Sequence, residues 1–148
     1  SVAIAQAETM SDMMRANEYA VYKGYYNMAK LNMPTASAKD CSVKACDSQE
    51  RATYDMYIWN NATSTPQKNS NPELLPSGDG VVCLDSTPLD GKSGAWACDG
   101  LGNVYAIKVQ WTERSVGSND VRNSNADMNT QLFVMSVIPA LGDAIDSK

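Results

Sequence analysis

The chain of 148 residues is 43% apolar, carries a net charge of −5, and has four cysteines and no histidine. That length and apolar share suit one folded domain, 1–148, and exclude a disordered chain. The first 74 residues hold 7 basic and 8 acidic side chains and the other half holds 5 and 9, so neither half offers a basic patch for nucleic acid.

Ala3, Ala7, Met10, Met14 and Val21 recur at helical spacing, with Ile4 and Met13 widening the face and Gln6, Thr9, Asp12 and Arg15 largely opposite. No Gly or Pro precedes Gly24, so the helix is expected to end near Asn17 or run on to Tyr22, within a helical region 1–25. Its start lacks a capping box, because Ile4 stands where Glu or Gln belongs. The expectation is the lower part of a longer helix whose first turns project from the globular part. Tyr19, Tyr22, Tyr25 and Tyr26 follow. Aromatic faces stack on sugars and bases, which makes Tyr22, Tyr25 and Tyr26 candidate ligand contacts. Covering the core near the helix end is the simpler role for them.

A helix-and-loop region is expected over 26–80. Thr35–Asp47 is a polar loop with the first cysteine pair, and Asp47-x-x-Glu50 is a capping-box start for a helix over Gln49–Asn60. Ala52, Met56 and Trp59 share one face of that helix. A polar linker, a one-turn helix after Asn71-Pro72 and the turn cluster Pro76–Gly80 complete the region.

A sheet is expected over 81–139 and a tail over 140–148. Val81–Leu84 and Gly94–Cys98 read as paired short strands. Val104–Trp111 alternates, with Tyr105, Ile107, Val109 and Trp111 inward and Val104, Ala106, Lys108 and Gln110 more exposed. Gln131–Ile138 is apolar on both faces, the pattern of a strand covered on both sides, and Pro139 ends it. The class is α+β: a long helix and a second short helix on about four mainly antiparallel strands.

Zinc sites usually show a short Cys-x-x-Cys pair or histidine partners, and neither occurs. Disulfides fit better and imply an oxidising compartment. Three pairings are open on paper; Cys41 with Cys46 and Cys83 with Cys98 is the expected one, since each closes a local turn or hairpin.

Histidine, the usual base near neutral pH, is missing, as are a Gly-x-Ser-x-Gly elbow and a Ser-x-x-Lys dyad. Gly78-Asp-Gly80 and Gly100-Leu-Gly102 read as turn glycines rather than a phosphate loop. Asn123, Asn125 and Asp127 have the spacing of calcium ligands, but Met128 replaces the glycine such loops need. Asp85, Asp90 and Asp99 read as polar loop residues. The expectation is a protein that is not an enzyme, with no catalytic residue, cofactor or metal.

Four stretches, in order, resemble type IV minor pilins of the PilV family. Asp12-Met13-Met14-Arg15-Ala16-Asn17 resembles the family's Asp-Arg-Met-Arg-Ala-Asn, with Met13 departing from its Arg. Leu75–Val81 resembles its Leu-Pro-x-Gly-x-Gly turn, Lys108–Glu113 its Val-x-Trp-x-Glu strand end, and Val134–Pro139 its closing strand. The loops 27–47 and 61–70 are not covered. The resemblance implies a pilin-like head whose hydrophobic, membrane-spanning helix half is missing from this stretch. It implies a structural role: waiting in the inner membrane facing the periplasm, joining other minor pilins, priming the major pilin and sitting at the tip of the extracellular pilus. Twitching motility, adhesion and, in some bacteria, DNA uptake would follow. Ala3, Ala7, Met10 and Met14 would be the assembly face of the helix. A pseudopilin of a type II secretion system, or a tip module binding DNA or glycan, are the alternatives.

Overall fold

The computed structural model describes residues 2–63, 78–114 and 128–139. Among these, three helices, α1 (Val2–Arg15), α2 (Glu18–Lys23) and α3 (Ser48–Thr63), precede three strands, β1 (Asp79–Leu84), β2 (Tyr105–Arg114) and β3 (Met128–Val137). The class is α+β with one antiparallel sheet ordered β1-β2-β3.

The apolar stripe of α1 is used within the domain. Ala3, Ala7, Met10 and Met14 are at most 1% exposed and belong to the core that joins α1 to the sheet. One expectation is thereby corrected. In the first turn Ala3 is buried, while Val2 and Ile4 on the flank are 37% and 40% exposed. The stripe, expected as an assembly face, is spent on the protein's own sheet, because burying small residues lets the helix approach β2 and β3 closely.

Of the two expected ends, near Asn17 or at Tyr22, the helix takes the first. It breaks at Asn17, whose backbone leaves the helical region at φ −140° and ψ 56°. The Asn17 amide donates from Nδ2 to Ser48 O at 2.9 Å and to Tyr26 Oη at 3.2 Å. An Asn side chain that finds distant partners competes with helix continuation, and no Gly or Pro is needed. A separate turn, α2, then runs to Gly24, which closes it at φ 79°.

The capping box forms as expected: Glu50 N donates to Asp47 Oδ1 at 2.8 Å and Asp47 N to Glu50 Oε1 at 2.9 Å. The Asp47 N–H, with Lys39 beside it, holds the Glu50 carboxyl below its ordinary range. Ala52, Met56 and Trp59 face the core as expected, and Trp59 Nε1 donates to Gln6 O at 2.7 Å, tying α3 to α1. Below Trp59 lies Gly80 of β1. A Cβ there would meet the indole at 2.5 Å, so only glycine lets the ring lie flat on the strand.

Both disulfides have the expected pairing, Cys41–Cys46 and Cys83–Cys98. The expected fourth strand, Gly94–Cys98, is not one. The segment holds one isolated bridge, Lys92 with Ala95, and its backbone turns through positive φ at Gly91, Gly94 and Ala97. At Gly91 a side chain is impossible, since a Cβ would lie 1.9 Å from the Trp96 carbonyl oxygen.

β3 corrects another expectation. One face packs on the core through Phe133, Met135 and Val137, but Thr130 and Ser136 are exposed and Leu132 is 36% exposed on the other. Among the described residues, the loop that covers the same face of β1 and β2 leaves these positions exposed. The calcium-like residues Asn123, Asn125 and Asp127, the one-turn helix after Pro72 and the tail 140–148 lie outside the described residues.

Candidate functional site

The sheet has two unlike faces. α1 and α3 cover one. The loop from Asp85 to Asp99, pinned by Cys83–Cys98, covers the back of β1 and β2. Lys108 organises that loop. It lies mid-strand between Ile107 and Val109, expected among the more exposed positions, and its side chain is fully buried. Its Nζ sits 2.6 Å from Asp85 Oδ2 and donates to Trp96 O at 2.7 Å, Asp90 O at 2.8 Å and Asp90 Oδ1 at 3.2 Å. Asp85 is 1% exposed, and its Oδ1 accepts the Thr87 N–H at 3.0 Å. Two carboxylates and two carbonyls around one ammonium leave no donor of the cation idle. Asp85 and Asp90, expected to be ordinary loop residues, are the anchors of the loop.

The loop's remaining polar groups fasten its ends. Asp99 accepts the Ser86 hydroxyl and, through Oδ1, the backbone N–H groups of Ser86 and Leu101 at 3.0 and 2.8 Å. Those bonds, the Ser86 hydroxyl first, hold the Asp99 carboxyl below its ordinary range. Ser93 N donates to Gln110 Oε1 at 2.8 Å, and Ser93 Oγ to Asp79 Oδ2 at 2.5 Å. Leu89 of the loop is 82% exposed, and Leu101, just after the loop in the chain, is 63% exposed.

Cys83, Asp85 and Cys98 form a group of metal-ligand residue types, with atoms within 4.8 Å of one another. Their donors are already spent: the two sulfurs are bonded to each other and the carboxylate faces Lys108. The arrangement therefore works as a fastening and not as a ligand set.

The tyrosines expected as ligand contacts are scattered. Tyr26 is fully buried, and its hydroxyl donates to Asp55 Oδ2 at 2.7 Å. Burial, then the neighbouring Asp55 charge, push its phenol well above the ordinary value. It cannot stack on a ligand. Burial also raises the Asp55 carboxyl, against the Tyr26 hydrogen bond. Tyr25 is half-buried and meets Tyr19 edge to face at 6.4 Å. Tyr22, half-buried, lines a cleft of about 160 Å³ with Met14, Val21 and Pro139.

The two sheet edges differ as well. Along β1, Met28 N donates to Val82 O at 2.9 Å, Gly100 N to Leu84 O at 2.9 Å, and Leu84 N to Asn27 Oδ1 at 2.9 Å. The chain itself closes that edge. Along β3, nothing pairs with the outer side among the described residues.

No helix among the described residues is long and apolar enough to cross a membrane. Compared with protein-family models, curated proteins and solved structures, the chain matches none.

Proposed function

We propose that this chain is the head of a type IV minor pilin and works without catalysis, by contact with other minor pilins in a complex that primes pilus assembly. The placement of the motif residues that resemble the family carries the reading. Asn17, last residue of the helix motif, is the joint that fastens α1 to Ser48 and Tyr26. Gly80, in the turn-to-strand motif, is the seat of Trp59. Lys108, opening the Lys108–Glu113 stretch, anchors the disulfide loop. Three of the four stretches thus contribute a residue, Asn17, Gly80 or Lys108, to a junction between layers of a helix-on-sheet head. Contacts to neighbours would use what α1 leaves exposed: the outer edge of β3 and the Leu89 side of the loop.

Deletion of the gene should abolish or sharply reduce surface pili and twitching, and the head should capture sibling minor pilins in a pull-down. Normal piliation together with no captured minor pilin would remove the reading. Loss of protein secretion with pili intact would reassign the head to a secretion pseudopilus.

A further inference from the structure

We infer that two copies of this chain pair through β3, antiparallel and about a two-fold axis at Phe133, to make one continuous six-stranded sheet. The pairing rests on the strand alone and holds whether or not the pilus reading does.

The direction of the backbone groups follows from the edges. Val82 and Leu84 turn their carbonyls away from β2, toward Met28 N and Gly100 N. Pairing alternates along antiparallel strands, so Ile107, opposite Val82, bonds β3 instead, through Met135. On β3 the backbone groups of Met135 and Phe133 therefore point inward, and those of Thr130, Leu132, Val134 and Ser136 point outward.

Among the described residues nothing bonds this row of donors and acceptors, which proteins usually guard with charge, proline, a bulge or a covering segment. β1 has the covering segment. β3, Met-Asn-Thr-Gln-Leu-Phe-Val-Met-Ser-Val, has no charge, no proline and no glycine, and its register with β2 runs unbroken from Met128 to Val137. A ten-residue strand of this kind takes another extended strand as its partner.

The sequence of β3 matches itself in one register. With the axis at Phe133, Leu132 faces Val134 of the second copy and Thr130 faces Ser136. These outward-bonding residues meet apolar to apolar and hydroxyl to hydroxyl, and the two Phe133 rings meet on the helix side. The symmetry makes the contact isologous and closed, so it ends at a dimer.

Sedimentation and light scattering of the 148-residue chain, from micromolar to millimolar, should show a monomer–dimer equilibrium. Because each copy carries −5, added salt should strengthen it. Val134→Pro removes an outward N–H that β2 does not use, and should weaken the dimer by about thirtyfold or more, two hydrogen bonds' worth. Leu132→Lys with Val134→Lys sets lysines opposite lysines and should give a monomer. Leu132→Lys with Val134→Glu sets opposite charges face to face and should restore the dimer. A monomer at millimolar concentration overturns the pairing. So does a dimer that salt dissolves, one indifferent to the double-lysine change, or a lysine–glutamate variant as monomeric as the double-lysine one.

Discussion

The two faces of this sheet are buried by different physics. On the helix side, apolar side chains fill the space: Met10, Met14, Met56 and Trp59 against Val82, Ile107 and Val109, each at most 1% exposed. Packing of that kind spreads its strength over many small contacts. On the back side a polar loop with one exposed leucine covers the strands, held by one ammonium, one disulfide and the hydrogen bonds of Asp99 and Ser93. A loop too polar to be held by burial can still cover a sheet when its buried charges are paired. The cost is fragility, because a few atoms carry the whole layer.

The sharpest way to break this contrast is Lys108→Met. It leaves the Asp85 carboxylate buried without its cation, and should lower the unfolding free energy by about 3–5 kcal/mol in urea titration. Adding Asp85→Asn, which keeps an acceptor for Thr87 N, should recover much of the loss. A small effect of the single change would mean that the loop is held as diffusely as the helix side.

Next is the disulfide of the same loop. In the chain-entropy view Cys83–Cys98, fifteen residues apart, contributes about 3 kcal/mol and Cys41–Cys46, five apart, about 2 kcal/mol. A Cys83→Ala, Cys98→Ala variant should therefore melt below a Cys41→Ala, Cys46→Ala variant, and mass spectrometry of the native chain should find it four hydrogens lighter than the reduced one.

A smaller effect is expected on the helix side. Gly80→Ala pushes the Trp59 ring off the strand and should cost about 1–3 kcal/mol, read from the thermal midpoint, with Trp59 fluorescence reporting the displacement.

The smallest effects distinguish the faces by sign. Asp99, in the back loop, titrates below its ordinary value in the fold. Its contribution is present above the ordinary carboxylate range and is lost as pH falls through the lowered value. Asp55, under α3, titrates above its ordinary value. Its penalty is fully present above the raised value and is relieved as pH falls through it. A series of urea midpoints between about pH 2 and 7 should thus show Asp99→Asn reducing acid sensitivity, while Asp55→Asn gains on the native chain as pH rises.

The sequence carried the local features well, for reasons that are themselves local. The α1 stripe, the Asp47–Glu50 box, the inward face of α3 and the nearest-neighbour disulfides need only spacing and short-range chemistry. The anchor at Lys108 leaves a trace in the sequence: a lone lysine in Val104–Trp111, with apolar residues on either side and an aspartate two residues past a cysteine. Alternation placed Lys108 on the solvent side because it assumes that only a helix layer covers a strand.

By itself, then, the sequence determined which residues are apolar at which period, where α3 is capped, and which cysteines are near enough to bridge. Tertiary structure decided the rest. It ended α1 at Asn17, since only packing brings Ser48 and Tyr26 to that amide. It turned 85–99 from an expected strand and loop into a lid, since only folding brings two carboxylates and two carbonyls around one ammonium. It closed one edge of the sheet, because the segment after α2 returns to β1, and among the described residues nothing pairs with the other. A polar group shows its type in the sequence, but its partner is set by contacts far along the chain.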